Sequence, residues 1–266
     1  MQTLKQEIDR MTERDTIFAG DCATCEDRGY ILLEQDGQRR ARACGCMQRK
    51  GLARRVRNAG VPARYAQANF ENFDLTRADA PVRWAAETCR QMAEEFLVHP
   101  YGQGLLLTGT CGVGKTHLAA AALHLCMERY GVAGKFWDMN DLLTQVKRSF
   151  QRKQGYDAGG PETESTLVDE FARVEVLVID ELGGERLTDW SFGEVSLLLN
   201  ARYNAQGDKP RLTIFTTNFA NAGAGQGKGG VETLGDRIGS RMWSRLQEMT
   251  KVVEMQGRDY RLGRGR

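Results

Sequence analysis

The stretch Gly104-Leu-Leu-Leu-Thr-Gly109-Thr-Cys-Gly-Val-Gly114-Lys115-Thr116 decides the fold. Its first half is a short apolar run opening onto glycines, the pattern of a strand buried inside a parallel sheet. Helical spacing follows from Thr116 to Tyr130. Between the two, Gly109 to Thr116 matches G-x-x-x-x-G-K-[ST] at every fixed position and in the required strand–loop–helix context. The glycines let successive backbone N–H groups turn inward around an anion, and the helix N-terminus adds partial positive charge. Lys115 is therefore expected to reach the β- and γ-phosphates of a nucleotide, and Thr116 to ligate Mg²⁺. The candidate cofactor-binding segment comprises Gly109, Thr110, Cys111, Gly112, Val113, Gly114, Lys115, Thr116 and His117. Within it Cys111 suits a small filler better than a nucleophile, and His117 suits a structural place on the helix.

Working outward, further strands are expected at Gly134 to Asp138, Val174 to Asp180, Arg211 to Thr217 and Thr250 to Met255. Helices are expected at Val82 to Val98, Asn140 to Phe150, Thr163 to Ala172, Ser191 to Asn204 and Leu234 to Gln247. Five strands with helical crossovers imply an α/β fold with a parallel five-stranded sheet flanked by helices on both faces. Gln154 to Pro161 fits no element. Neither does Asn221 to Gly230, with five glycines in ten residues. Both read as mobile loops, because glycine has the most backbone entropy to lose on ordering.

The strand Val176-Leu-Val-Ile179 runs into Asp180-Glu181. Burial would fix such a strand, and its C-terminal edge would present Asp180 to Mg²⁺. Glu181 could then polarise the water that attacks the γ-phosphate, which favours hydrolysis over transfer to a small acceptor. Asn218, at the end of Leu212 to Thr217, stands where a polar side chain can bond the γ-phosphate or that water. Downstream, Arg237, Arg241 and Arg245 recur every four residues on one expected helix face. Two readings stay open there: a solvated surface, or a face that inserts an arginine into a neighbouring subunit's site. Arg261, in Arg258-Asp-Tyr-Arg261, has the same standing.

The N-terminal region has a different character. Leu4, Ile8 and Met11 outline a short amphipathic helix. Cys22-x₂-Cys25 and Cys44-x-Cys46 follow, with eighteen residues between the pairs. Four thiolates in two close pairs suit a tetrahedral structural zinc site, with Gly29 to Leu33 and Asp36-Gly37 supplying a hairpin between them. So small a module lacks a core of its own, and Zn²⁺ would supply the missing stability. The remaining cysteines of the seven, Cys89, Cys111 and Cys126, read as fillers. Eight basic and no acidic residues lie between Arg39 and Arg57. That run could contact nucleic-acid phosphates or simply be solvated. Gly60-Val-Pro62 then punctuates the chain, giving domains at 1–59 and 60–266.

Over the whole chain of 266 residues the formal charge is only +2, which excludes a uniformly basic nucleic-acid binder. The polar first residues and the lack of a long apolar run predict a cytoplasmic protein with no membrane association.

Several stretches together carry a more specific resemblance. Gly60-Val-Pro-Ala-Arg-Tyr, Phe70-Glu-Asn-Phe73, the glycine-rich loop, Val178-Ile-Asp-Glu181, Thr188-Asp-Trp, Ala201-Arg-Tyr-Asn204, Phe215-Thr-Thr-Asn218, Gly235-Asp-Arg-Ile-Gly-Ser-Arg241 and Arg258-Asp-Tyr-Arg261 run in order. This pattern resembles bacterial and phage DnaC/DnaI-type replicative helicase loaders, and IstB-like transposition ATPases share much of it. The resemblance implies an AAA+ core without a helical lid, preceded by a small zinc-binding, helicase-docking module. It implies weak ATP hydrolysis completed between subunits, with Asn218 as sensor 1, Arg241 as arginine finger, Arg237 as its neighbour and Arg261 as sensor 2. The implied partners are a DnaB-type replicative helicase hexamer, single-stranded DNA and further copies of the chain, assembling with ATP or on the helicase. The alternative it leaves is an IstB-like DNA-binding ATPase that regulates transposition. A small-molecule kinase fits less well with Glu181, Asn218 and the arginine helix, and an adaptor holding ATP as a structural ligand is a further rival.

Overall fold

The computed structural model describes residues 22–26, 28–35, 38–76, 78–98, 104–154, 162–205 and 209–261. The expected helix at Leu4 to Met11, the Asp36-Gly37 turn and all but the first residue of Gln154 to Pro161 lie outside them. The chain divides into two compact units, with the division between Arg54 and Arg55.

In the first unit, strands β1 (Tyr30–Gln35) and β2 (Gln38–Ala43) form an antiparallel ribbon registered from Tyr30 opposite Ala43 to Gln35 opposite Gln38. Helix α1 (Gly45–Asn58) starts inside the second cysteine pair. The first pair sits on a tight turn in which the N–H groups of Cys25 and Glu26 both donate to the Cys22 carbonyl, at 3.2 and 2.7 Å. The eighteen-residue spacer is thus a hairpin that returns the chain to its starting point, where Cys44 N–H donates to the Gly29 carbonyl at 2.9 Å.

The second unit is built on β3 (Gly104–Gly109), β4 (Gly134–Asp138), β5 (Val176–Asp180), β6 (Leu212–Thr217) and β7 (Thr250–Met255). All pair in parallel, in the order β4-β5-β6-β3-β7. Central strands β3, β5 and β6 are buried along nearly their whole length, which is why they read as continuous apolar runs rather than alternating ones. Helices α2 (Ala80–Glu94) and α3 (Lys115–Tyr130) pack on one another. The alanines Ala119 to Ala122 let α3 lie close to the sheet; a Cβ on Gly134 would stand 2.4 Å from Leu123. Helices α4 (Met139–Gln154), α5 (Glu162–Arg173) and α6 (Asp189–Asn204) complete the crossovers. A second core joins Leu106, Leu177 and Phe215 of the sheet to Phe171, Leu198, Ile238 and Met242.

Three expectations change. The single helix from Leu234 to Gln247 is two, α7 (Leu234–Ile238) and α8 (Ser240–Met249), parted by Gly239 at φ 78°. That positive φ favours glycine, and a Cβ there would meet the Phe192 ring at 2.9 Å. Asn221 to Gly230 is tied down by side chains: Trp243 and Gln247 donate to Asn221 Oδ1 at 3.0 and 2.8 Å, Thr233 Oγ1 donates to the Gly223 carbonyl, and Gly225 N–H donates to Asp236. Strand β5 begins at Val176 rather than Val174; the Val174 carbonyl accepts from the buried Arg202 guanidinium, and the Glu175 carbonyl accepts from both Arg202 and the Leu212 N–H. Among the described residues no helix follows β7.

Candidate nucleotide site

The strand order brings the site together. β6 lies between β3, which leads into the glycine-rich loop, and β5, which ends in Asp180, so three strand ends open onto one edge. The loop takes the conformation its glycines permit, with Gly109, Gly112 and Gly114 at φ 142°, 79° and 101°. Substitution would be blocked by neighbours as well as by φ. A Cβ on Gly109 would stand 2.0 Å from the Met255 carbonyl, and one on Gly114 2.5 Å from the Phe73 ring.

Lys115 Nζ bridges the carbonyls of Gly109 and Thr110, at 2.7 Å each. Burial lowers its pKa, opposed by the nearby Asp180 carboxylate. An anion between the loop N–H groups would relieve that cost. Thr116 Oγ1 donates to Asp180 Oδ1 at 3.0 Å, so the two residues expected to share Mg²⁺ already touch. Asp180 is 2% exposed, and burial raises its pKa despite hydrogen bonds from Thr216 and Thr116 that pull it down. Such a hydroxyl–carboxylate pair at a strand end supplies hard oxygen donors and fits Mg²⁺.

Glu181 is half-buried and holds φ 58°, a left-handed conformation that costs a non-glycine residue roughly 1 kcal/mol. Two contacts hold it: its N–H donates to Thr216 Oγ1 at 3.0 Å, and its carbonyl accepts from Gly184 N–H at 2.8 Å. Asn218 is exposed immediately beyond β6, on the same edge. Thr216 was not singled out by sequence; the signal available was its place two residues before Asn218 on the strand beside Asp180.

The arginines divide. Arg237 lies on α7 with its side chain only 8% exposed, donating from Nε to the Gly183 carbonyl at 2.7 Å and from the other end to Gly184 at 2.9 Å. It also pairs with Glu232 and stacks over Phe219 at 4.9 Å. It thus clamps the loop that follows Glu181 in its own chain. Arg241, beyond the Gly239 break, is exposed on α8. Arg245 is held by Asn200 and lies over Tyr203. Arg261 is exposed on a segment that docks on the glycine-rich loop, where Tyr260 N–H donates to the Gly112 carbonyl at 3.1 Å. Asp259 accepts from Arg261 N–H, and its carboxylate leaves no room for a side chain at Gly112.

Phe73 forms the opposite wall, its ring 5.2 Å from His117 and 6.2 Å from Tyr260. His117 and His124 anchor this segment by bonding the carbonyls of Asn69 and Ala68, at 3.0 and 2.9 Å. His117 therefore fastens this wall through a ring nitrogen.

In the N-terminal unit the sulfurs of Cys22, Cys25, Cys44 and Cys46 all lie within 4.8 Å of one another. Cys22 and Cys44 are 3.7 Å apart and Cys25 and Cys46 3.3 Å. Four thiolates about 2.3 Å from one zinc ion would stand roughly 3.8 Å apart, so the cluster could hold zinc. The Cys25 backbone N–H and sulfur draw the Cys22 thiol down to about 6, while donation to Cys25 pushes Cys46 up to about 12. One thiolate raises the cost of the next, and a dication would remove it.

A parallel five-stranded sheet with a glycine-rich loop after β3, an acidic pair at the end of β5, one strand removed, and an arginine-bearing helix further on defines an AAA+ ATPase-like fold. The profile of the IstB-like ATP binding protein family matches residues 25–266, and the chain belongs to that family. It is 24% identical over 190 residues to the phage-like element PBSX protein XkdC of Bacillus subtilis (strain 168), covering 69% of this chain and 67% of that protein. It is 22% identical over 218 residues to the replicative helicase loader DnaC of Escherichia coli (strain K12), covering 80% of each. Among solved structures, a DnaC helicase loader superposes with TM-score 0.59 at 29% identity, over 73% of this chain and 99% of that one. DnaI superposes with TM-score 0.55 at 22% identity, over 74% and 95%. These likenesses support the DnaC-type AAA+ resemblance. Among the described residues, no helix is long and apolar enough to cross a membrane.

Proposed function

We propose that this chain is an ATP-dependent loader that binds a replicative helicase and helps place it on single-stranded DNA. The observation that carries the reading is the joined site: loop, Thr116–Asp180 pair and Glu181 in one chain whose likeness to a replicative helicase loader spans four-fifths of both proteins.

In this reading the loop N–H groups and Lys115 bind the ATP phosphates, and Lys115 exchanges two carbonyl acceptors for phosphate oxygens. Thr116 and Asp180 hold Mg²⁺, which when bound supplies charge neutralisation at the phosphates. Glu181 accepts a proton from the attacking water, Asn218 orients that water, and Arg261 neutralises charge from within the same chain. Arg241, exposed on α8, reaches a neighbouring protomer's site. ATP binding favours the assembled state by its differential affinity for two arrangements, and hydrolysis favours release. The four-cysteine cluster holds Zn²⁺, giving the small unit the stability to dock on the helicase.

Turnover measured with and without DNA tests the reading. We expect slow hydrolysis that single-stranded DNA changes, and binding without turnover in Glu181→Gln. The second reading, an IstB-like transposition ATPase, is favoured by the family profile itself. It predicts a response to duplex DNA and none to single strands. Absence of turnover under every condition would leave only the adaptor that holds ATP as a structural ligand.

A further inference from the structure

Asp180 and Glu181 are neighbours in sequence with opposite demands: one must present a carboxylate to a cation and the other must turn its carboxylate towards water. A regular strand continuing through both would point successive side chains to opposite faces. The chain instead leaves the strand at Glu181 by entering the left-handed region. Something must pay for that conformation and hold Asp180 at the same time.

We infer that Thr216 is a positioning residue for hydrolysis, its hydroxyl setting both carboxylates at once. The Thr216 hydroxyl donates to Asp180 Oδ1 at 2.5 Å and accepts from the Glu181 N–H at 3.0 Å. A hydroxyl has one proton and two lone pairs, so these roles are forced. The Glu181 amide can only donate; the Thr216 oxygen must therefore accept, and its single proton is left for Asp180. The Glu181 chain direction and the Asp180 rotamer are thereby read from one atom. Thr216 is itself 1% exposed in the middle of the sheet, and its carbonyl takes the Leu182 N–H at 2.8 Å, so the strand grips the turn from both sides. Asp180 Oδ1 receives the Thr116 and Thr216 hydroxyls together. Thr216 thus shares with Thr116 the task of fixing that oxygen, without needing to touch nucleotide or metal. Valine in its place keeps the volume and the β-branched shape while taking away the acceptor of the Glu181 amide and one donor to a buried carboxylate.

The inference rests on the ATPase reading, and the test separates the two. The 266-residue wild type, Thr216→Val and Thr216→Ser are compared for ATP binding without Mg²⁺, for the Mg²⁺ dependence of binding, and for kcat. For Thr216→Val we expect unchanged Mg²⁺-free binding, which also reports folding, with Mg²⁺ affinity and kcat each down about 10–100-fold, the usual cost of removing a residue that orients a ligand. Thr216→Ser, which keeps the hydroxyl, should restore both to within about threefold. A Thr216→Val protein that binds Mg²⁺ and turns over like wild type overturns the inference, as does a serine variant as impaired as valine. Should valine lose Mg²⁺-free binding too, the serine variant decides: wild-type behaviour supports the hydroxyl and impairment refutes it. Wild type that binds MgATP without hydrolysing it sinks the ATPase reading, while the Mg²⁺ comparison still decides the role of Thr216.

Discussion

Arg237 donates from Nε to the carbonyl of Gly183 at 2.7 Å, two residues after Glu181 in the same chain. Arg241 lies one helical turn further on in sequence but on the other side of the Gly239 break, and it is exposed. Two arginines that sequence spacing places on one face therefore have different work: one holds its own chain's loop, and the other faces outward.

Mixing experiments separate them. An Arg241→Ala chain should bind ATP normally and lose most turnover, and should regain part when mixed with Glu181→Gln chains that supply intact arginines. An Arg237→Ala chain should not be rescued in this way, because its defect is in its own Glu181 loop. Arg241→Ala that hydrolyses normally at every protein concentration contradicts an inter-subunit role.

Zinc content checks the N-terminal module. We expect about one zinc ion per chain by elemental analysis. Cys44→Ser should lower the metal content and unfold the β1–β2 ribbon. Nucleotide binding by the second unit should survive, since every residue of the nucleotide site lies beyond Arg54. A fully reduced, zinc-free protein with an intact ribbon would contradict the assignment.

Among the described residues Arg202 is the largest fully buried side chain, and its hydrogen bonds there go to no carboxylate. Its guanidinium is instead shared among Thr213 Oγ1 and the carbonyls of Phe171, Ala172, Val174, Glu175 and Leu212. It caps the end of α5 and ties β5 to β6, and burial lowers its pKa to about 9. Arg202→Met should cost about 2–4 kcal/mol, because several carbonyls lose their donor together. In thermal melts that is a fall of roughly 5–15 °C for a domain of this size. A change below about 2 °C would show that water or backbone shifts satisfy these carbonyls instead.

Mg²⁺ binding should depend on pH through Asp180. Its folded pKa is raised, by burial first, above that of the unfolded chain. In the metal-free protein its contribution to stability is therefore present at acid pH and lost as pH rises through the folded value. Mg²⁺ needs the carboxylate and so displaces a proton. Apparent Mg²⁺ affinity should strengthen as pH rises through that value and then level off. Titrations across about pH 4–8 measure it, and Asp180→Asn should flatten the profile. A flat profile in wild type would contradict the role of Asp180.

The five strands, their parallel pairing and the glycine-rich loop were legible because burial on both faces writes a continuous apolar run and a phosphate loop has fixed residue positions. Asp180 and Thr116 were legible for the same reason. What escaped depends on contacts distant in sequence. Thr216 looks like any strand threonine until β6 is laid beside β5. Arg237 looks like a surface cation until α7 is set against Gly183 and Gly184. The period of four hid the Gly239 break, since one residue at φ 78° changes a helix's direction without changing its composition. The glycine-rich Asn221 to Gly230 reads as loose by entropy alone, yet its anchors are the side chains of Thr233, Asp236, Trp243 and Gln247 further along the chain.

ATP-bound chains should engage a replicative helicase. Native mass spectrometry of this protein mixed with the replicative helicase of its own replication system, with and without MgATP, would show that engagement. A helicase hexamer carrying several copies of this chain is expected, with the number changed by ATP and by Arg241→Ala. Free hexamer and free chain in every condition would contradict it.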